Sequence, residues 1–132
     1  MRIDDRQLEL ELQDEGILLE RVAPRKTLWA EYLPWAFVQD GIEYNAKITL
    51  GEDLKGRALY LIILHELAHY KADKQYGWGI RPHGKEWQAI YRELVEKYQY
   101  LFPGTQVLDM FNRYTAKKEN NLIDILQPAT VS

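Results

Sequence analysis

Cysteine is absent from all 132 residues, so neither a disulfide nor a thiolate metal site can form within the chain. That absence fits a reducing compartment. Positive charge is not in surplus: 17 Lys and Arg against 20 Asp and Glu give a net charge of −3, with no general attraction for nucleic acid. Long apolar runs are missing too. The longest uncharged one, residues 58–64, falls far short of the roughly 20 residues that cross a bilayer. The amino terminus, MRIDDRQ, is charged from its second residue and lacks the apolar centre of a signal peptide. No internal repeat or low-complexity segment occurs. These absences predict a soluble, cytoplasmic protein with no membrane partner.

What is present describes a packed domain. A hydrophobic share of 46% and four tryptophans support a globular core, and this length makes one domain. Its core is expected over residues 25–100, with a helical extension over 101–132. Charge is uneven along the chain. Residues 1–22 hold seven acids and three bases, which reads as a solvated acidic face. Residues 71–100 hold six bases and four acids, including Lys71, Lys74, Arg81 and Lys85.

One long helix organises the prediction. Proline is absent from Leu54 to Gln75, Asp53 is placed to cap the start, and Gly77 follows the last turn. Leu59 to Leu64 are apolar on every face, so that segment should be buried all round. Before it, Ile42–Leu50 alternates apolar and polar residues and reads as a strand. TLWAEYL and WAFV read as shorter strands interrupted by Pro34, with the turn QDG leading into IEYN. A second helix is expected over residues 84–100, with Trp87, Ile90, Tyr91, Leu94 and Tyr98 on its inner stripe. A further helix is expected over Val107–Lys118. The first 22 residues allow two readings: a hairpin of RQLELEL with ILLERV, or a helix interrupted at Gly16. The helix is the expectation adopted. Three of the four tryptophans are expected in the core, with Trp78, between two glycines, as the exception.

Histidine is as informative as cysteine is absent. All three copies fall in one stretch, HELAHYKADKQYGWGIRPHGKEW. His65 and His69 belong to an HExxH motif, and on a helix they share one face about 6 Å apart along the axis. Glu66 lies about 100° around that axis, beside any bound ion but poorly aimed at it, which suits a general base. His83, flanked by Pro82 and Gly84, would complete three ligands and leave a fourth position for water, the arrangement of a catalytic site. A lone histidine on an apolar helix is usually a hydrogen-bonded core residue. A charged Glu66 in that apolar helix beside two histidines favours metal over that reading. A metzincin would need glycine and a further ligand where Ala72 and Gln75 stand, so that class is excluded. A glutamate ligand from the second helix, Glu86, Glu93 or Glu96, competes with His83 for the third position.

The same stretch resembles the SprT-like zinc metalloprotease domain, whose signature is HExxH, a variable loop and an HGxxF or HGxxW element. His83, Gly84 and Trp87 match the second element, and Pro82 with Lys85-Glu86 is similar to bacterial members. The likeness covers about residues 42–100, including the strand AKITL. It implies an α+β, zincin-like fold: a small antiparallel or mixed sheet packed on a buried HExxH helix and a following helix. It implies Zn2+ held by His65, His69 and His83, with Glu66 as the catalytic glutamate. Many family members carry a cysteine zinc ribbon, for which this chain has no cysteine. Substrate and DNA dependence do not carry over.

The expected function is zinc-dependent hydrolysis of peptide bonds in a protein or peptide substrate, through a metal-activated water with Glu66 as general base. Tyr76, Arg81 and Tyr91 are candidate donors to the developing oxyanion, and Trp78 is a candidate substrate contact. Asp73, four residues beyond His69, is a candidate acceptor for a ligand imidazole. Two alternatives stand beside this. One is a regulator-cleaving peptidase of the ImmA/IrrE group, with a glutamate as third ligand. The other is a non-enzymatic binding module stabilised by zinc. Nucleic acid enters as a partner only by analogy with the family and has no support from charge.

Overall fold

Apolar side chains surround the HExxH segment in sequence, and the chain buries them in its longest element. In the computed structural model, which describes residues 3–102, that helix runs Gly56–Tyr76. The elements in order are α1 (Arg6–Asp14), β1 (Ile17–Val22), β2 (Ala30–Leu33), β3 (Phe37–Gln39), β4 (Ile42–Tyr44), β5 (Ala46–Gly51), α2 (Gly56–Tyr76) and α3 (Lys85–Lys97). A 3-10 turn, Gln99–Leu101, follows α3.

The fold is α+β. Strand β5 is central in a mixed sheet of order β1-β5-β2, parallel to β1 and antiparallel to β2. Every side chain of β5 but Lys47 is buried, as expected for a strand covered on both faces. Helix α2 packs against β2, β5 and α3, and is buried without interruption from Leu61 to Ala68. Strands β3 and β4 form a separate hairpin whose turn, Asp40-Gly41, has φ of 53° and 78°. Two successive positive φ values are what a two-residue type I′ turn requires. Among the described residues no helix is long and apolar enough to cross a membrane.

Several sequence expectations change. The helix adopted for residues 1–22 holds only as far as Asp14, and ILLERV is strand β1. The switch occurs at Gly16, with φ +70°, where an added Cβ would stand 2.7 Å from Asn45 Nδ2. Asn45 grips this turn, donating its backbone N–H to Gly16 O at 2.7 Å and its side-chain amide to Glu15 O at 2.9 Å. The same residue divides the expected strand 42–50. Tyr44 and its neighbours pair with β3, whereas Ala46 onward pairs with β1 and β2. The N-cap of α2 is Lys55, which makes no side-chain cap bond, instead of Asp53. Trp35 is 59% exposed and joins Trp78 outside the core, so two tryptophans and not one lie there. The helix expected over Val107–Lys118 lies outside the described residues.

Away from the sheet, a carboxylate ties three helical segments together. Glu11 of α1 meets Lys71 of α2 at 2.6 Å and Lys97 of α3 at 2.8 Å, and accepts a hydrogen bond from the Tyr98 hydroxyl. Burial alone would raise this carboxyl, but the bonds from Lys71, Lys97 and Tyr98 outweigh it and bring its pKa down to about 2.

Candidate metal centre

Helix α2 supplies two histidines to one face, and the turn before α3 supplies the third. His83 has φ 59°, in the left-handed region that histidine enters more readily than branched residues. Its peptide is held from both sides. Gly84 N–H donates to Arg81 O at 3.0 Å, and Gln88 Nε2 donates to His83 O at 2.9 Å. Gly84 is needed for space: a Cβ there would stand 3.0 Å from Arg81 O and 3.2 Å from Arg81 Cβ.

The three Nε2 atoms form a nearly equilateral triangle, with edges of 3.2 Å (His65–His69), 3.0 Å (His69–His83) and 3.2 Å (His65–His83). Hydrogen bonding alone cannot satisfy this triangle. Each nitrogen carries either a proton or a lone pair, so at least one edge joins two of a kind. One ion removes the conflict. Tetrahedral ligands about 2.0–2.1 Å from a common ion stand about 3.3–3.4 Å from one another, close to the observed edges. The residues present therefore fit a metal ion. Among the described residues these three form the only group of three or more His, Asp or Glu donors near enough to share one.

Burial prepares the rings for ligation. It holds His65 well below the ordinary imidazole range, with mutual repulsion from His69 and His83 adding to it. Burial and then His83 bring His69 down to about 4, and burial lowers His83 as well. All three are thus neutral at neutral pH, the form that donates a lone pair. Trp87 underlies the group. Its ring meets His65 at 4.8 Å, His69 at 5.2 Å and His83 at 4.7 Å between centroids, and stacks on Tyr91 at 4.8 Å.

The triad opens into a cleft of about 600 Å³, between β2 on one side and the loop from Trp78 to His83 on the other. Glu66 lines it while only 4% exposed. Burial, followed by the charge of Glu31 across the cleft, pushes its carboxyl up to about 8. Ala30, Glu31 and Tyr32 all line this space. Successive strand side chains point to opposite faces, so three in a row at one cavity means that the edge of β2 faces it. Among the described strands β2 is an edge.

Four residues were expected near the substrate, and two reach the cleft. Trp78, 71% exposed, and Arg81 line it. Tyr91 does not: its ring lies buried against Trp87 and, at 5.9 Å, His65, on the core side of the triad. Tyr76 is outside the cleft lining as well, half exposed at the end of α2. Asp73 accepts a hydrogen bond from the Tyr32 hydroxyl at 2.9 Å. Glu93 lines a different cavity, with Glu15, Lys71 and Lys74, and not the cleft of the triad. The basic stretch is offset by acids, Lys71 by Glu11 and Lys74 by Glu15 at 3.0 Å. Sequence reasoning missed Glu31, Tyr32 and Gln88. Only Gln88, one turn beyond the HG pair, left a local signal that could have been used.

Comparison with known proteins agrees with this geometry. The SprT-like family model matches residues 27–108, which include β2, the whole HExxH helix and α3. Protein SprT of Pseudomonas syringae pv. tomato is 53% identical over 32 residues, 24% of this chain and 20% of that protein. The match thus spans a fifth of the relative's length. No solved structure matches the chain. With more than half of its residues accounted for by one family model, this chain belongs to the SprT-like family.

Proposed function

We propose that this protein is a zinc-dependent peptidase of zincin-like build, acting on an extended protein segment laid along its cleft. The observation that carries the reading is the triangle of three imidazoles with a buried glutamate beside it, open to a cleft. His65, His69 and His83 would hold the ion. A bound zinc ion supplies Lewis acidity, lowering the pKa of water toward neutrality and polarising a carbonyl group.

The remaining work falls to the chain. Glu66 is the proton carrier. Burial raises this carboxyl in the metal-free protein, and the positive charge of a bound ion would favour the carboxylate form that a general base needs. Its carboxylate oxygen takes the proton of the attacking water and returns it to the leaving amine. Arg81, the one cation lining the cleft among the described residues, would stabilise negative charge developing on the scissile carbonyl. The β2 edge offers backbone donors and acceptors to an extended segment, which favours an unfolded substrate over a folded surface. Trp78 contributes apolar contact at the rim. Nothing in the charge distribution adds a nucleic-acid partner.

The test is cleavage of an unfolded protein by the zinc-loaded chain, with Glu66→Gln as control. Cleavage by the wild type and its loss in Glu66→Gln, with zinc retained in both, is the expected result. Zinc-loaded wild type that leaves unfolded proteins and peptides intact would overturn the peptidase reading in favour of a zinc-stabilised binding module.

A further inference from the structure

Tyr32 belongs to β2, yet two of its contacts are with α2. Its ring lies parallel to the His69 imidazole, 6° between planes and 6.2 Å between centroids. Its hydroxyl donates to Asp73 Oδ2 at 2.9 Å. His69 and Asp73, four residues apart, share a face of α2 with about 6 Å of rise between them. Tyr32 therefore lies along that face with its hydroxyl at Asp73 and its ring beside His69. The anchor point is on the far side of His69 from His65.

This placement decides between two roles. A transition-state donor would need its hydroxyl free to turn toward the reacting atoms. Here the hydroxyl is committed to Asp73 at 2.9 Å. What Tyr32 presents to the triad is the flat ring.

His69 is the histidine that Tyr32 reaches. His65 is buried and enclosed by Trp87 and Tyr91. His83 is carried by a turn whose peptide is bonded to Gln88. His69 is partly buried, lines the cleft, and meets two aromatic rings there, Trp87 at 5.2 Å and Tyr32 at 6.2 Å between centroids. We infer that Tyr32 is a positioning residue for His69, with Asp73 as its anchor: the stacked ring holds the imidazole so that Nε2 stays in the triangle. This rests on reading the triad as a zinc site. A stacked aromatic pair is worth roughly 2- to 12-fold in an equilibrium constant, so the effect is a graded loss of metal affinity and not an all-or-none one.

The experiment measures zinc affinity of the full chain by competition with a chromophoric chelator, alongside the thermal midpoint of the metal-free protein. Tyr32→Leu, which removes the ring, should weaken zinc binding about tenfold. Tyr32→Phe keeps the ring and loses only the anchor, and should weaken it about two- to threefold. Asp73→Asn, which retains an acceptor oxygen, should bind as the wild type does. Metal-free midpoints of the two Tyr32 variants should agree with each other. Tyr32→Leu binding zinc like the wild type would overturn the inference. So would equal losses in Tyr32→Leu and Tyr32→Phe, or a loss in Tyr32→Leu matched by a fall in its midpoint relative to Tyr32→Phe. Failure of the wild type to bind zinc would overturn the metal-site reading and the inference together. Normal wild-type binding with unaltered variants overturns the inference alone.

Discussion

Glu11 and Glu66 are both largely buried glutamates, on two helices linked by the ion pair of Glu11 with Lys71, and their surroundings drive them in opposite directions. Glu11 is met by two lysines and a phenol, which bring its carboxyl to about 2. For Glu66, burial and the nearby charge of Glu31 push the carboxyl up to about 8. The first is a fixed charge that joins α1 to α2 and α3. The second, in the metal-free protein, keeps its proton more readily than an ordinary carboxyl. On the proposed reading, the separated pKa values distinguish a carboxylate that serves the fold from one that would serve chemistry. Lys71 and Glu66, five residues apart on α2, place the two environments on different sides of a single helix.

Substitutions can break or sharpen that contrast. The largest effect is expected from Glu66→Gln, which should lower peptide hydrolysis about 10²- to 10⁴-fold while zinc content stays unchanged. Its thermal midpoint should stay level or rise, because a neutral isostere replaces a carboxyl in a dry site. A lowered midpoint would place Glu66 in the structural class with Glu11. Next comes His83→Ala, with zinc affinity expected to fall by more than the roughly 10–100-fold typical of residues that merely support a ligand. Glu93→Ala should leave affinity as it is. The reverse pattern in a chelator titration would move the third ligand onto α3.

Glu11→Gln should act on stability alone, lowering it by about 1–3 kcal/mol at neutral pH because Lys71 and Lys97 lose their partner. Activity per folded molecule should be unchanged. The folded pKa near 2 lies below the ordinary 4.5, so this contribution is full above about pH 4.5 and fades as pH falls toward 2. Urea denaturation across that window should show a steeper acid loss in the wild type than in Glu11→Gln. Smallest is Trp78→Ala: a KM raised about threefold, with kcat, zinc affinity and stability within about 0.5 kcal/mol of the wild type. Unchanged KM would remove Trp78 from the substrate path.

What could be seen in the sequence was what depends on local spacing. The HExxH run, the apolar stretch before it and the HG pair all act within a turn or two, so helix α2 and three candidate ligands followed from periodicity and motif. The division at Asn45 did not, because IEYNAKITL alternates without a break and only the partners of each half separate them. Nor did the switch from α1 to β1. Leu8 and Leu12 suit a helix and ILLERV suits either state, and the open side of β5 decides. Tyr32 was invisible for a similar reason. Its partner Asp73 is 41 residues away, and an aromatic in a strand looks the same whether it fills a core or leans on a ligand. Trp35 shows the converse error, since composition alone assigns a tryptophan to the interior.

The histidine at φ 59° lies fourteen positions beyond its helical neighbour, with Gly77, Trp78 and Gly79 between them. An ion shared by His69 and His83 would close that segment into a ring, as a disulfide closes a loop in chains that possess cysteine. Cross-linking a loop of about 15 residues removes roughly 3 kcal/mol of entropy from the unfolded ensemble. In this cysteine-free chain the metal would then be a cross-link as well as a reagent, and its removal should loosen the Trp78 loop before it unfolds anything else. Amide exchange over residues 77–84, fast without zinc and slow with it, is the signature of that tether.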